Sequence, residues 1–78
     1  MERDFGNAHY ATSTVIDTRE GYTALELHRT IKGDSKRVAR IVFWDASGQF
    51  FLETYNTDIP LEIVEVFISE AKKEIRVE

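Results

Sequence analysis

Between Tyr22 and Lys32 the chain reads YTALELHRTIK, which alternates apolar and polar positions at period two. Leu25, Leu27 and Ile31 fall on one side of a strand, and Glu26, His28 and Thr30 on the other. The segment before it, Ala8 to Thr18 (AHYATSTVIDT), is rich in β-branched and aromatic residues with no helical period, so it reads as a preceding strand joined through Arg19-Glu20-Gly21. Gly33-Asp34-Ser35 turns the chain into a third strand, Arg37 to Asp45 (RVARIVFWD), which is apolar at both parities. Asp45 to Gln49 (DASGQ) suits a three-residue hairpin loop closed by a left-handed Gly48, and Gln49 to Tyr55 (QFFLETY) follows as a fourth strand.

After Tyr55 the period changes. Asn56-Thr57-Asp58 supplies capping side chains and Pro60 suits a first helical turn, so residues 59–77 are expected to form a helix. Acids gather early in it, and Lys72, Lys73 and Arg76 lie near its end, as the helix dipole favours. Val64, Phe67, Ile68, Ala71 and Ile75 make a stripe for the sheet. Ile63, Val66 and Val77 fall beyond its edge. The fold class is therefore α+β, one domain over 1–78: residues 1–7 disordered, 8–55 a four-stranded antiparallel meander, then one C-terminal helix (ββββα).

Simple hairpin registers put Val15, Leu25, Leu27, Ile31, Ile41, Phe43 and Phe51 on one face of this sheet. Ile16, Ala24, Val42, Trp44, Phe50 and Leu52 then share the other with Tyr10, His28, Lys32 and Arg40. One helix covers one face, and a chain of 78 residues buries only about 60% of its unfolded surface. With Cys 0 and His 2, disulfides and metals are no help, so a homodimer is expected, with Ile63, Val66, Phe67 and Val77 as interface candidates.

The formal net charge of −4 is unevenly spread. Residues 1–31 hold three bases against five acids, residues 32–44 four against one, and residues 45–78 three against eight. The opening MERDFGN carries charge where a leader needs an apolar run, and no stretch is long and apolar enough for a membrane span. A soluble, unprocessed, cytoplasmic protein is expected.

Catalytic chemistry finds little support. His9 and His28 are expected on opposite faces of the first hairpin, where they share neither a metal nor a proton. The serines Ser13, Ser35, Ser47 and Ser69 lie in no nucleophile motif, and the four glycines form no phosphate loop. No enzyme, no cofactor and no metal are expected. The basic segment carries the remaining signal. Lys32, Lys36, Arg37 and Arg40, with Trp44, Tyr10 and His28, combine cations with rings, as single-strand binders do, where stacking contributes ~1–3 kcal/mol per base.

RIVFWDASGQFFLETY (Arg40 to Tyr55) followed by IPLEIVEVFISEAKK (Ile59 to Lys73) resembles the strand–turn–strand and helix segment of bacterial positive-cofactor-four-like proteins. These belong to a superfamily of single-stranded nucleic-acid binders that includes Whirly proteins and PUR repeats. The helix start, Ile-Pro-Leu-Glu, is similar to that family's apolar-Ser-Leu-Glu entry. The resemblance implies a helix-paired dimer binding single-stranded DNA or RNA, with Arg37, Arg40 and Trp44 placed for contact. The chain departs from that pattern in its acidic total and its short Asn56-Thr57-Asp58 connection. The other expectation is a protein-interaction or structural module with no nucleic-acid ligand, whose apolar second face binds itself or another protein.

Overall fold

Two glycine turns decide how much of the chain becomes sheet. The computed structural model describes residues 1–75, so Val77 lies outside the described residues. The sheet has five antiparallel strands in sequential order: β1 (Glu2–Phe5), β2 (Ala8–Asp17), β3 (Tyr22–Ile31), β4 (Asp34–Trp44) and β5 (Gln49–Thr54). One helix, α1 (Leu61–Glu74), follows. The expected four-stranded sheet and disordered 1–7 are thus corrected. Gly6 at φ +61° starts a two-residue turn that folds Phe5 back opposite Ala8, and residues 2–5 pair with β2. A side chain with a Cβ resists that backbone conformation, which glycine adopts freely.

The tight turn between β3 and β4 is Lys32-Gly33, with φ of 51° and 78° and Ile31 opposite Asp34. Both central residues are left-handed, the type I′ arrangement that matches strand twist and prefers Asn-Gly. Lys32→Asn is therefore expected to stabilise the fold by ~0.5 kcal/mol, read as a rise of roughly 2–4 °C in a thermal melt.

Both longer hairpins hold one residue more than the sequence pattern implies. Thr18 to Gly21 all lie outside the ladder, with Asp17 opposite Tyr22, because the Asp17 backbone oxygen and carboxylate accept from Gly21 and Glu20 N–H, each at 2.9 Å. Asp45 to Gly48 behave alike: Trp44 faces Gln49, and Gly48, at φ +65°, donates its N–H to the Trp44 oxygen at 2.9 Å. A one-residue change in register inverts every side chain beyond it. Tyr10, Phe50 and Leu52 therefore join the helix side, opposite Arg29, Phe43 and Ile41. Val15 and Phe51 move to the open side, opposite Ala24 and Val42.

β4 also carries a bulge. Leu27 pairs with Ala39 but His28 with Arg37, leaving Val38 without a partner opposite, and both Val38 and Ala39 are buried. The core lies between the helix side of the sheet and α1, uniting Tyr10, Leu25, Leu27, Ile41 and Phe43 with Ile63, Phe67, Ala71 and Ile75. Three helix residues and the C-cap Ile75 step by four along one ridge, so the helix faces the sheet with Ile63 and Phe67 rather than with Val64 and Ile68. Pro60 is the N-cap residue and no side chain caps the helix; instead the Pro60 oxygen accepts from Ile63 and Val64 N–H at 3.0 and 3.1 Å. Acid early (Glu62) and base late (Lys72, Lys73) do complement the dipole.

Candidate interaction surfaces

The bulge at Val38 places the basic residues. Strict alternation would send Arg37 and Arg40 to opposite faces. With Val38 inserted they share the open face, Arg37 beside His28 and Arg40 beside Glu26 in the strand register. Trp44 lies on the same face next to Tyr22, their ring centroids 5.0 Å apart. Four of the expected contact residues, His28, Arg37, Arg40 and Trp44, are thus brought together. The other three are not. Tyr10 is buried at 2% exposure on the helix side, Lys32 forms the β3–β4 turn, and Lys36 points away from Arg37, pairing with Asp34 at 3.9 Å.

Neither arginine of this face is free. Arg37 Nη1 donates to Glu26 Oε2 at 2.7 Å and its guanidinium sits 5.0 Å from the Tyr55 ring centroid. Arg40 Nε donates to Glu53 Oε2 at 2.9 Å, with the Tyr22 ring 5.5 Å away. Burial acts to lower the Arg40 pKa, but the hydrogen bond to the Glu53 carboxylate, with the neighbouring Tyr22, outweighs it and holds the pKa above its ordinary value. The Glu26 hydrogen bond does the same for Arg37. Beneath these side chains Ala24 and Val42 are fully buried although, among the described residues, no element covers the face, so the larger groups around them act as their roof.

His9 and His28 both lie on the open face, not on opposite ones, because the first long loop shifts the register. They have separate partners. His28 Nε2 is 3.2 Å from Ser13 Oγ and 3.6 Å from Glu26 Oε1. His9 Nδ1 is 2.7 Å from Asp4 Oδ1 and its Nε2 is 3.5 Å from Glu2, so the imidazole ties β1 to β2. The Asp4 hydrogen bond raises the His9 pKa above 6.5. A raised folded-state pKa means the tie is complete below about pH 6.5 and is lost as pH rises through the folded value. Measured against the intrinsic exchange rate, which itself rises with pH, the β1 amides should therefore lose protection as pH rises through that value, and Asp4→Asn should remove most of this added pH dependence. Among the described residues no three of His, Cys, Asp and Glu converge as metal ligands would, and no helix is long and apolar enough to cross a membrane.

The dimer candidates on the helix fare differently from one another. Ile63 and Phe67 are both 0% exposed inside the protomer and have no surface for a partner. Val66 is half-buried beside Met1 and Glu70. Phe5, Ile16 and Leu61 are exposed singly on β1, β2 and the helix start, whereas Phe51 (46%) and Leu52 (49%) on β5 adjoin Ile68 (37%) on the helix flank. Ile41, Phe50, Leu52, Ile68 and Ala71 line a groove of about 180 Å³ there, with Lys72 at its rim. That is below the ~300–1,000 Å³ of small-molecule pockets, and suits one or two apolar side chains. Sequence reasoning missed this surface because it depends on the register of β5. Comparison with protein-family models, characterised proteins and solved structures returns no match.

Proposed function

We propose that this chain is a small, non-catalytic protein-interaction module that docks through its β5 side, rather than a module that holds single-stranded nucleic acid on its arginines. The observation that carries this reading is the pairing of Arg37 with Glu26 and of Arg40 with Glu53 at 2.7 and 2.9 Å. Polyanion binding needs cations that can exchange counterions for phosphates. Here a phosphate would have to displace a carboxylate on the same face, in a chain whose net charge is already −4. By contrast, rings interleaved with charge-matched arginines are what protein interfaces favour; Phe51 adds an exposed apolar group on that face, and Leu52 and Ile68 add two on the helix side of the same edge.

Titration of a fluorescent single-stranded oligonucleotide at low salt tests the reading. It predicts no salt-dependent rise in anisotropy. Binding that weakens steeply with added salt would overturn it in favour of a nucleic-acid surface.

A further inference from the structure

The two edges of the sheet are built differently. β1 is four residues long, and beside its one exposed apolar residue, Phe5, it carries Glu2, Arg3 and Asp4, as natural edges that resist pairing are charged and short. β5 has six residues and no proline, and its ladder with β4 runs without a bulge. Its one charge, Glu53, is turned onto Arg40 of β4 and does not guard the edge. Phe51 and Leu52 stand about half exposed on opposite faces of this unguarded strand.

We propose that β5 pairs with β5 of a second copy, antiparallel about a two-fold axis through Phe51, an assignment that rests on the protein-binding reading above. The argument for a second copy is that the strand is complementary to itself. A two-fold axis perpendicular to the sheet keeps each face on its own side, so opposed residues must have equal parity. Centred on Phe51, this pairing sets Phe51 against the partner's Phe51 on the open side. On the helix side it sets Phe50 against the partner's Leu52, twice by symmetry, and Gln49 meets the partner's Glu53 with donor to acceptor. Centring on Leu52 would instead oppose Phe51 to Glu53 and Phe50 to Thr54, and centring on Phe50 would oppose Phe51 to Gln49. Only the first register matches apolar with apolar on both faces. It also brings the partner's Leu52 and Phe50 to the mouth of the groove beside Ile68. The result is a continuous ten-stranded sheet with both helices on one side.

Light scattering over a range of concentrations, oxidative cross-linking and the oligonucleotide titration, all on the full chain, test this together. The 9.0 kDa protomer should give a mass of about 18 kDa at high concentration. Leu52→Lys, which places a charge in the apolar pairing, should weaken the dimer at least about tenfold while circular dichroism stays native. With Cys 0 in the native chain, Phe51→Cys provides a second and independent readout. Directly opposed Cα atoms lie ~4.5–5.5 Å apart, within disulfide range, so this variant should cross-link to a dimer on mild oxidation. Ile16→Cys, 69% exposed on β2, should not. A monomeric mass at every concentration, or a dimer indifferent to Leu52→Lys with no cross-link through residue 51, overturns the pairing. Salt-dependent oligonucleotide binding by the native chain overturns the underlying reading instead, whatever the mass.

Discussion

Replacing Phe67 with Ala is expected to lower the melting temperature by at least roughly 12 °C, enough to leave much of the protein unfolded at physiological temperature. Phe67 is 0% exposed at the middle of the Ile63–Phe67–Ala71–Ile75 ridge, which is the only layer over the helix side of the sheet among the described residues. Truncating a buried Phe costs ~3–5 kcal/mol through lost transfer energy and the cavity left behind. Whole domains have only ~5–15 kcal/mol to lose, and small ones sit near the bottom of that range. In a domain of this size each kcal/mol moves the midpoint by ~4–8 °C. The neighbouring residue is the control. Ile68, 37% exposed, should cost ~1 kcal/mol or less as Ala. Comparable losses from the two variants in thermal melts by circular dichroism would mean that the helix presents the Val64–Ile68 side to the sheet.

Removing the two carboxylates that hold the arginines should create a nucleic-acid affinity that the proposed protein-binding function does not give the native chain. In the double variant Glu26→Gln/Glu53→Gln the net charge rises from −4 to −2, and Arg37 and Arg40 are released on one face beside Tyr22 and Trp44. Two phosphate contacts to a single strand give a slope of about −1.4 in log affinity against log salt, or roughly a sevenfold loss between 50 and 200 mM. The fold should survive, since one partner of each pair is nearly half exposed and Gln keeps an acceptor oxygen for its arginine, so each loss stays near the ~0–1 kcal/mol of surface pairs. Anisotropy titrations of both proteins at several salt concentrations check this. Equal slopes for native and variant would mean that the carboxylates do not restrain the arginines.

The pattern of polar and apolar residues predicts the antiparallel meander and the C-terminal helix, because alternation in Tyr22 to Lys32 and four-residue steps after Pro60 are local signals. Strand β1 had a local signal as well. Gly6-Asn7 is a two-residue hairpin dipeptide, and the charge of its flanks hid it. What alternation cannot supply is register. Loops at Asp17 and Trp44 one residue longer than the turn patterns imply buried Tyr10 and exposed Phe51. The bulge leaves a faint trace, the adjacent apolar pair Val38-Ala39, yet it decides that Arg37 and Arg40 share a face. Their partners Glu26 and Glu53 are neighbours across strands, so the basic stretch of the sequence looked free when in the fold it is matched. Ile63, which helical phase alone set beyond the sheet-facing stripe, joins Phe67 in the core, so neither of these interface candidates is left for a partner.

If the β5 edge is the working surface, its outward-facing backbone must be covered when protomers meet. Hydrogen exchange at the β5 amides that do not bond to β4 measures it directly. These amides should be unprotected in dilute protein and become protected as concentration rises, while exchange in β1 stays constant. Fast exchange at those amides at every concentration, with β3 and β4 well protected, would contradict it.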